Sequence, residues 1–187
     1  MLGVSLAWVL GIAASLLVCA PVAAQTPVAS TKVVKYSANS MTAAKIVKGS
    51  CWTSSIASPR ADAFRCTAGN EIYDPCFKID PTSVGCPTDV ASDSGVVFDL
   101  TKPLPPAQSP PPAPQAWAFV LQSGEKCNRA TGTVVADFTY YCSGESGVCQ
   151  GPDLGKTQAA YFVKCGTPKD ALHVTGVTSS LVKTVYE

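Results

Sequence analysis

GSCWTSSIASPRADAFRCTAGNEIYDPCF, residues 49–77, carries three cysteines, one tryptophan, two arginines and three acids in one run. Its reading sets the expectation for the whole chain. Ser58 is a good helix cap and Pro59 suits a first helical position. The residues up to Cys66 form helices readily, and Gly69 is a natural stop. Asp62 would sit in the first turn, where the helix dipole favours an acid, three residues ahead of Arg65. The stretch therefore predicts one short helix, tied down through Cys66, with Ala61 and Phe64 on the face it buries.

Working outward, the remaining segments alternate with the period of two that marks strands. In AWAFVL, Trp117, Phe119 and Leu121 fall on one face. TVVADFTYYC puts Val134, Ala136, Phe138, Tyr140 and Cys142 on one face. AAYFVKC repeats the habit, and LHVTGV and SLVKTVYE read as two closing strands joined through Thr178 and Ser179. Before them, GVVFDL is a clear strand, and TKVVKYSA and AKIVKG are weaker ones. The fold class expected is a mainly β, small, disulfide-stapled antiparallel sheet or barrel-like domain with one short helix.

The N-terminal run from Leu2 to Val18 is almost entirely apolar, and Pro21 ends it. Val22 and Ala24 then stand where a signal peptidase reads, so cleavage is expected before Gln25. The first basic residue is Lys32, so the usual positive n-region is missing. Retention of the stretch as a membrane anchor is therefore the alternative. Removing residues 1–24 also removes Cys19 and leaves eight of the nine cysteines: Cys51, Cys66, Cys76, Cys86, Cys127, Cys142, Cys149 and Cys165. An even set in an exported chain reads as four disulfides. There is no C-x-x-C, and His173 is the one histidine, so neither a metal site nor a cofactor is expected.

KPLPPAQSPPPAPQ, residues 102–115, holds seven prolines and reads as a stiff, polyproline-like surface connection. It divides the cysteines four and four. Pairing within each half leaves three arrangements per half. Short-range closure favours Cys51–Cys66, Cys76–Cys86, Cys127–Cys142 and Cys149–Cys165. The first would close a loop of about fifteen residues, worth roughly 3 kcal/mol in the chain-entropy view. The organisation expected is a leader over 1–24 and an N-terminal segment with weak strands over 25–48. A first cysteine-rich half over 49–102 and a connection over 103–116 follow, then a second β-rich half over 117–187. The halves are expected to pack together as one domain, with two mini-domains as the alternative.

Formal net charge is +1, with acids and bases interspersed. A nucleic-acid face or an anionic-membrane face is not indicated. SGESGVC, residues 143–149, has the letters of a serine-protease turn around Ser146, yet the histidine lies downstream and in a strand-like context. SGEK and SLVK match the serine–lysine spacing of penicillin-recognising enzymes, but one falls in a turn and the other in a terminal strand. Asp62, Glu71, Asp74 and Asp80 are close enough in sequence to suggest a paired-carboxylate hydrolase. Asp74 and Asp80 each precede proline, however, where a carboxylate commonly caps a turn, and Asp62 has arginines on both sides. Trp52, Phe64, Tyr73 and Phe77 read either as a platform for a sugar or peptide or as the core around the first two disulfides. Trp52, Arg60, Arg65, Tyr73 and Asp74 are the residues singled out as a binding rim.

The same block, with CPTD, a strand ending in PLP, and later YYC, resembles a group of uncharacterised exported bacterial proteins. They combine a C-W block, a S-x-R-x-D-A-x-R-C helix and a D-P-C-F turn. The likeness runs from about Gly49 to Cys142 and is most specific over its first thirty residues. It implies a bacterial envelope or secreted setting and carries no assigned activity. The functional expectation is an exported, non-catalytic binding protein with an extracellular or envelope protein or glycan as partner. A small carboxylate-dependent hydrolase and a disulfide-held inhibitor presenting the Ser146 loop are the alternatives.

Overall fold

A computed structural model describes residues 29–90 and 93–187. The apolar leader and its cleavage site lie outside the described residues. Twelve strands account for about half of the described residues: β1 (Lys32–Val34), β2 (Thr42–Ser54), β3 (Ala63–Ala68), β4 (Glu71–Asp80), β5 (Ser83–Pro87), β6 (Ser94–Leu100), β7 (Ala118–Leu121), β8 (Lys126–Arg129), β9 (Tyr140–Cys142), β10 (Val148–Cys149), β11 (Phe162–Pro168) and β12 (Val174–Tyr186). A single 3-10 turn covers Ala38–Ser40. No helix among the described residues is long and apolar enough to cross a membrane.

Strands β2 to β6 close into a barrel in sequence order. The long β2 makes closure possible. Residues 42–49 run parallel to β6, and residues 50–54 run antiparallel to β3, with register slips near residues 44 and 52 where the strand bends. Gly49 marks the change of partner. A β-carbon there would lie 2.4 Å from the Thr67 carbonyl oxygen and 2.6 Å from the Phe98 ring, so only glycine fits. The barrel interior holds Phe64, Val84, Val96 and Phe98 around the Cys51–Cys66 and Cys76–Cys86 bridges.

The remaining strands form a second sheet in the order β1-β12-β11-β10-β9-β8-β7, and β12 also pairs with β7, so the sheet returns on itself. Its interior packs Phe119, Leu121, Tyr140, Val163, Val182 and Val185 around the Cys127–Cys142 and Cys149–Cys165 bridges. β1 joins this second sheet, parallel to the end of β12, although the barrel follows it directly in the chain.

Between the two sheets lies a third core of Tyr36, Ala63, Phe77, Trp117, Ala118 and Val120. Its rings meet at tilted and edge geometries, Tyr36 to Phe77 at 4.9 Å, Tyr36 to Trp117 at 5.4 Å and Phe77 to Trp117 at 5.6 Å between centroids. The four pairings favoured by short-range closure are the four bridges formed. Three of them join residues directly opposite one another on neighbouring strands.

The structure corrects four expectations. The helix over 59–68 does not form: residues 61–62 make a turn and Ala63–Ala68 is β3. Local helix preference is worth a few tenths of a kcal/mol per residue. Here it yields to pairing with β2 on one side and β4 on the other, and to the bridge that sets Cys66 opposite Cys51. TVVADFTYYC is not one strand either, because Phe138 N–H bonds back to the Val135 carbonyl at 3.0 Å and Ala136 takes φ 52°. This tight turn leaves only Tyr140–Cys142 as strand. The last two segments merge into the single strand β12, in which Gly176 at φ 63° and Val177 stand opposite Gly166 alone, a bulge. Finally, Trp117 does not share the face of Phe119 and Leu121: it packs with Ala118 and Val120 in the core between the sheets, and β7 is buried on both faces.

Candidate functional site

Two bulges build the rim. The slip between β2 and β3 leaves Trp52 as an extra residue, and the slip between β3 and β4 falls at Arg65. Trp52 points outward and is 48% exposed, unlike the buried Phe64 and Phe77. The Arg65 guanidinium lies 5.8 Å from the centre of its ring, within cation–π range. The same guanidinium donates to the Thr131 carbonyl at 3.3 Å and stands 4.0 Å from an Asp74 oxygen. Arg65 thus links the barrel to the loop before β9.

Asp74 is a buried anchor, with a side chain 2% exposed. Its carboxylate accepts from the Ser55 hydroxyl, from Ile56 N at 3.1 Å and from Ala57 N at 3.4 Å. Ser55 Oγ in turn accepts from Ser58 N at 2.8 Å. The 55–58 loop, between β2 and β3, is therefore folded around one carboxylate.

Arg60 lies elsewhere, at the junction of the two sheets. Nε and Nη2 grip Asp62 at 2.8 and 2.6 Å, and Nη1 donates to the main-chain oxygens of Tyr36 and Glu187 at 2.7 and 3.0 Å. Its guanidinium covers Phe77 at 4.7 Å. Tyr73 packs edge-on against Phe98 at 5.2 Å, and its hydroxyl donates to Glu71. That bond, aided by slight burial, raises the Tyr73 pKa. Of the five rim residues expected from sequence, then, Trp52, Arg65 and Asp74 come together. Arg60 and Tyr73 serve the junction and the barrel core. Asp62, Glu71 and Asp74 are each engaged with a different partner. Asp80 is held by Thr82 and Ser83, which take its pKa down to about 2, the Ser83 hydroxyl contributing most.

The Ser146 loop is held by a residue that sequence reading passed over. Glu125 accepts from Ser146 Oγ at 2.6 Å, from Ser146 N at 2.8 Å and from Ser123 Oγ at 2.8 Å. These bonds, Ser146 Oγ foremost, keep the Glu125 carboxyl below its ordinary range. His173 pairs with Asp170 through Nδ1 at 2.8 Å on an exposed turn.

Gln108 was also missed. From the proline-rich segment its amide donates to the carbonyls of Ser55, Ser58 and Arg60 at 3.2–3.4 Å. Next to it, Pro110–Gln115 face Lys35, Arg60, Asp62 and Glu187 across a groove of about 490 Å³. Among the described residues, one group brings three metal-type ligand atoms within 4.8 Å of one another, namely Cys127, Cys142 and Cys149. Their sulfurs are bonded in disulfides and offer no thiolate. No family model matches this chain, and no curated protein or solved structure does.

Proposed function

We propose that this is an exported, non-catalytic binding protein of the bacterial envelope or extracellular space, whose contact face centres on Trp52. Four disulfides are typical of proteins that work outside the cytoplasm. The observation that carries the reading is Trp52 itself. It is a large aromatic ring left half-exposed on a bulge, with the Arg65 guanidinium over it and the bridged Cys51 next to it in the chain. A rigid exposed tryptophan is the kind of group on which binding energy concentrates. The carboxylates considered for hydrolysis are meanwhile engaged separately, Asp62 with Arg60, Glu71 with Tyr73, Asp74 with the 55–58 loop and Asp80 with its own turn.

Tryptophan fluorescence tests this directly. Once the leader is removed, Trp52 and Trp117 are the only tryptophans, and Trp117 is 2% exposed. Titrations would use defined soluble fragments of envelope polysaccharide and, separately, purified secreted proteins. The expected partner shields Trp52 from acrylamide and loses at least about tenfold in affinity on Trp52→Ala. A partner whose affinity is unchanged by Trp52→Ala, or two panels in which nothing shields Trp52, would defeat the proposal. A glycan hit and a protein hit then separate the two partner classes.

One observation favours a second reading, that of an enzyme inhibitor. The 143–147 loop is flanked by Cys142 and Cys149 and pinned by Glu125, which is the preorganisation an inhibitory loop needs. Inhibition of a secreted protease or wall-lytic enzyme that disappears on Ser146→Arg would establish it. Retained inhibition in that variant would exclude this loop.

A further inference from the structure

Cys127, Cys142, Cys149 and Cys165 lie on four consecutive strands of the second sheet, β8, β9, β10 and β11. Cys127 stands opposite Cys142, and Cys149 opposite Cys165, so two bridges follow one another across the sheet. The sulfurs at their facing ends, Cys142 Sγ and Cys149 Sγ, are 3.2 Å apart. Both are already bonded and neither carries a hydrogen, so this contact is not a hydrogen bond. It is a separation at which a thiolate formed on either sulfur is within attacking range, about 3–3.5 Å, of the other.

Access is uneven along the row. Cys127, Cys149 and Cys165 are buried, at 0%, 0% and 2% exposure. Cys142 is half-buried and lines a cavity of about 400 Å³ with Thr88, Asp89, Lys126, Tyr141 and Ser143. Lys126 and Asp89 form an ion pair in the wall of this cavity at 2.5 Å, so the approach to Cys142 is polar without net charge.

We propose that the Cys127–Cys142 and Cys149–Cys165 bridges form a single thiol-exchange site, opened at Cys142 by a small dithiol and resolved inside the protein by a Cys142–Cys149 bridge. One thiolate of the dithiol attacks Cys142 Sγ. A mixed disulfide forms, the bond to Cys127 breaks, and Cys127 leaves as a thiolate that takes a proton from solvent. The second thiolate of the dithiol attacks its own bound sulfur, closing the oxidised dithiol and releasing Cys142 as a thiolate. Cys142 then attacks Cys149 Sγ. The Cys142–Cys149 bond forms, the Cys149–Cys165 bond breaks, and Cys165 leaves as a thiolate and is protonated. Two electrons pass from the dithiol to the protein, which ends with thiols at the two ends of the row and one bridge in its middle.

Trypsin reads the outcome without any variant. Cleavage after Lys126, Arg129, Lys156, Lys164 and Lys169 puts Cys142 and Cys149 on one peptide, residues 130–156. Cys127 falls on residues 127–129 and Cys165 on residues 165–169. The oxidised protein would be treated with less than one equivalent of dithiothreitol under native conditions, then acid-quenched, alkylated with iodoacetamide and digested. The expected product is peptide 130–156 carrying an internal disulfide, with alkylated 127–129 and 165–169 released. It should be the predominant singly reduced species, in excess over 130–156 still joined to 165–169. The proposal is overturned if 130–156 stays bridged to 165–169 after 127–129 is released. It is overturned equally if the barrel bridges reduce first, or if no bridge in the second sheet reduces before the protein unfolds.

Discussion

Replacing Arg60 should loosen the junction between the two sheets far more than its ion pair alone would suggest. Arg60→Met keeps an unbranched apolar stem near Phe77 but removes the polar contacts and the cation over the Phe77 ring. Two charge-assisted bonds to the carbonyl oxygens of Tyr36 and Glu187 are lost, and the Tyr36 oxygen is left without that donor. Hydrogen bonds to charged groups are worth about 1.5–3 kcal/mol each, but some of that returns through hydration at a side chain 22% exposed. The Asp62 pair adds about 0.5 kcal/mol, because Asp62 is 43% exposed. The stacking on Phe77 adds about 0.5–1 kcal/mol. The sum expected for Arg60→Met is about 3–4 kcal/mol. Arg60→Lys keeps the charge but not the fork and should cost about half as much. Asp62→Asn should cost under about 1 kcal/mol. Urea unfolding of the oxidised proteins gives these differences, and hydrogen exchange at the Tyr36 and Glu187 amides locates them. If Asp62→Asn destabilised as much as Arg60→Met, the arginine would be serving its carboxylate rather than the junction, and the reasoning would fail.

Asp74→Ala strips the 55–58 loop of its acceptor and should cost about 3–5 kcal/mol by chemical denaturation; a loss below about 1 kcal/mol would refute its role as anchor. Tyr36→Phe removes a buried hydroxyl that has no hydrogen-bond partner among the described residues. It should leave stability unchanged or raise it by about 1 kcal/mol in the same assay. Burial, with Asp93 assisting, pushes the Tyr36 pKa up to about 12, and burial lifts Tyr140 to about 12 against the opposing charge of Arg129. Both folded values lie above the unfolded one near 10, so stability is fully present below about pH 10 and is lost as pH rises towards 12. An ultraviolet titration should show these two rings ionising together with unfolding. Glu125→Gln should free the 143–147 loop while leaving both flanking bridges intact, seen as faster amide exchange at Ser146.

What could be read from sequence was whatever a single short-range constraint decides. Each bridge joins a cysteine to its next neighbour, so loop closure alone pointed to the pairs. The period of two found most strands. The misses share one cause, competition between local preference and distant partners. SPRADAFRC has the composition of a helix, yet Arg60 spends its guanidinium on Asp62 two residues away, a pair that cannot face across a helix. The turn at Ala136–Asp137 has neither glycine nor proline to announce it. Asp74 was legible as an acid before proline that caps a turn, but the loop it holds lies nearly twenty residues upstream. Arg60 and Arg65 were ambiguous because each ends on carbonyls far away in the chain, at Tyr36, Glu187 and Thr131. Gln108 and Glu125 gave no signal, since one long polar side chain among several reveals nothing until the backbone it meets is known.

The nearest-neighbour pattern of the bridges also bears on how the chain can be oxidised as it is made. Counting from Cys51, the cysteines pair off in order of emergence, first with second, third with fourth and so on, at separations of 10 to 16 residues. An oxidase that joins thiols strictly in order of appearance would reach the native set with no shuffling step. That holds only if the count starts at Cys51. Cys19 emerges earlier, and joined to Cys51 it would shift every later bridge by one place. For an oxidase of that kind to reach the native set, Cys19 would have to be withdrawn before Cys51 finds a partner.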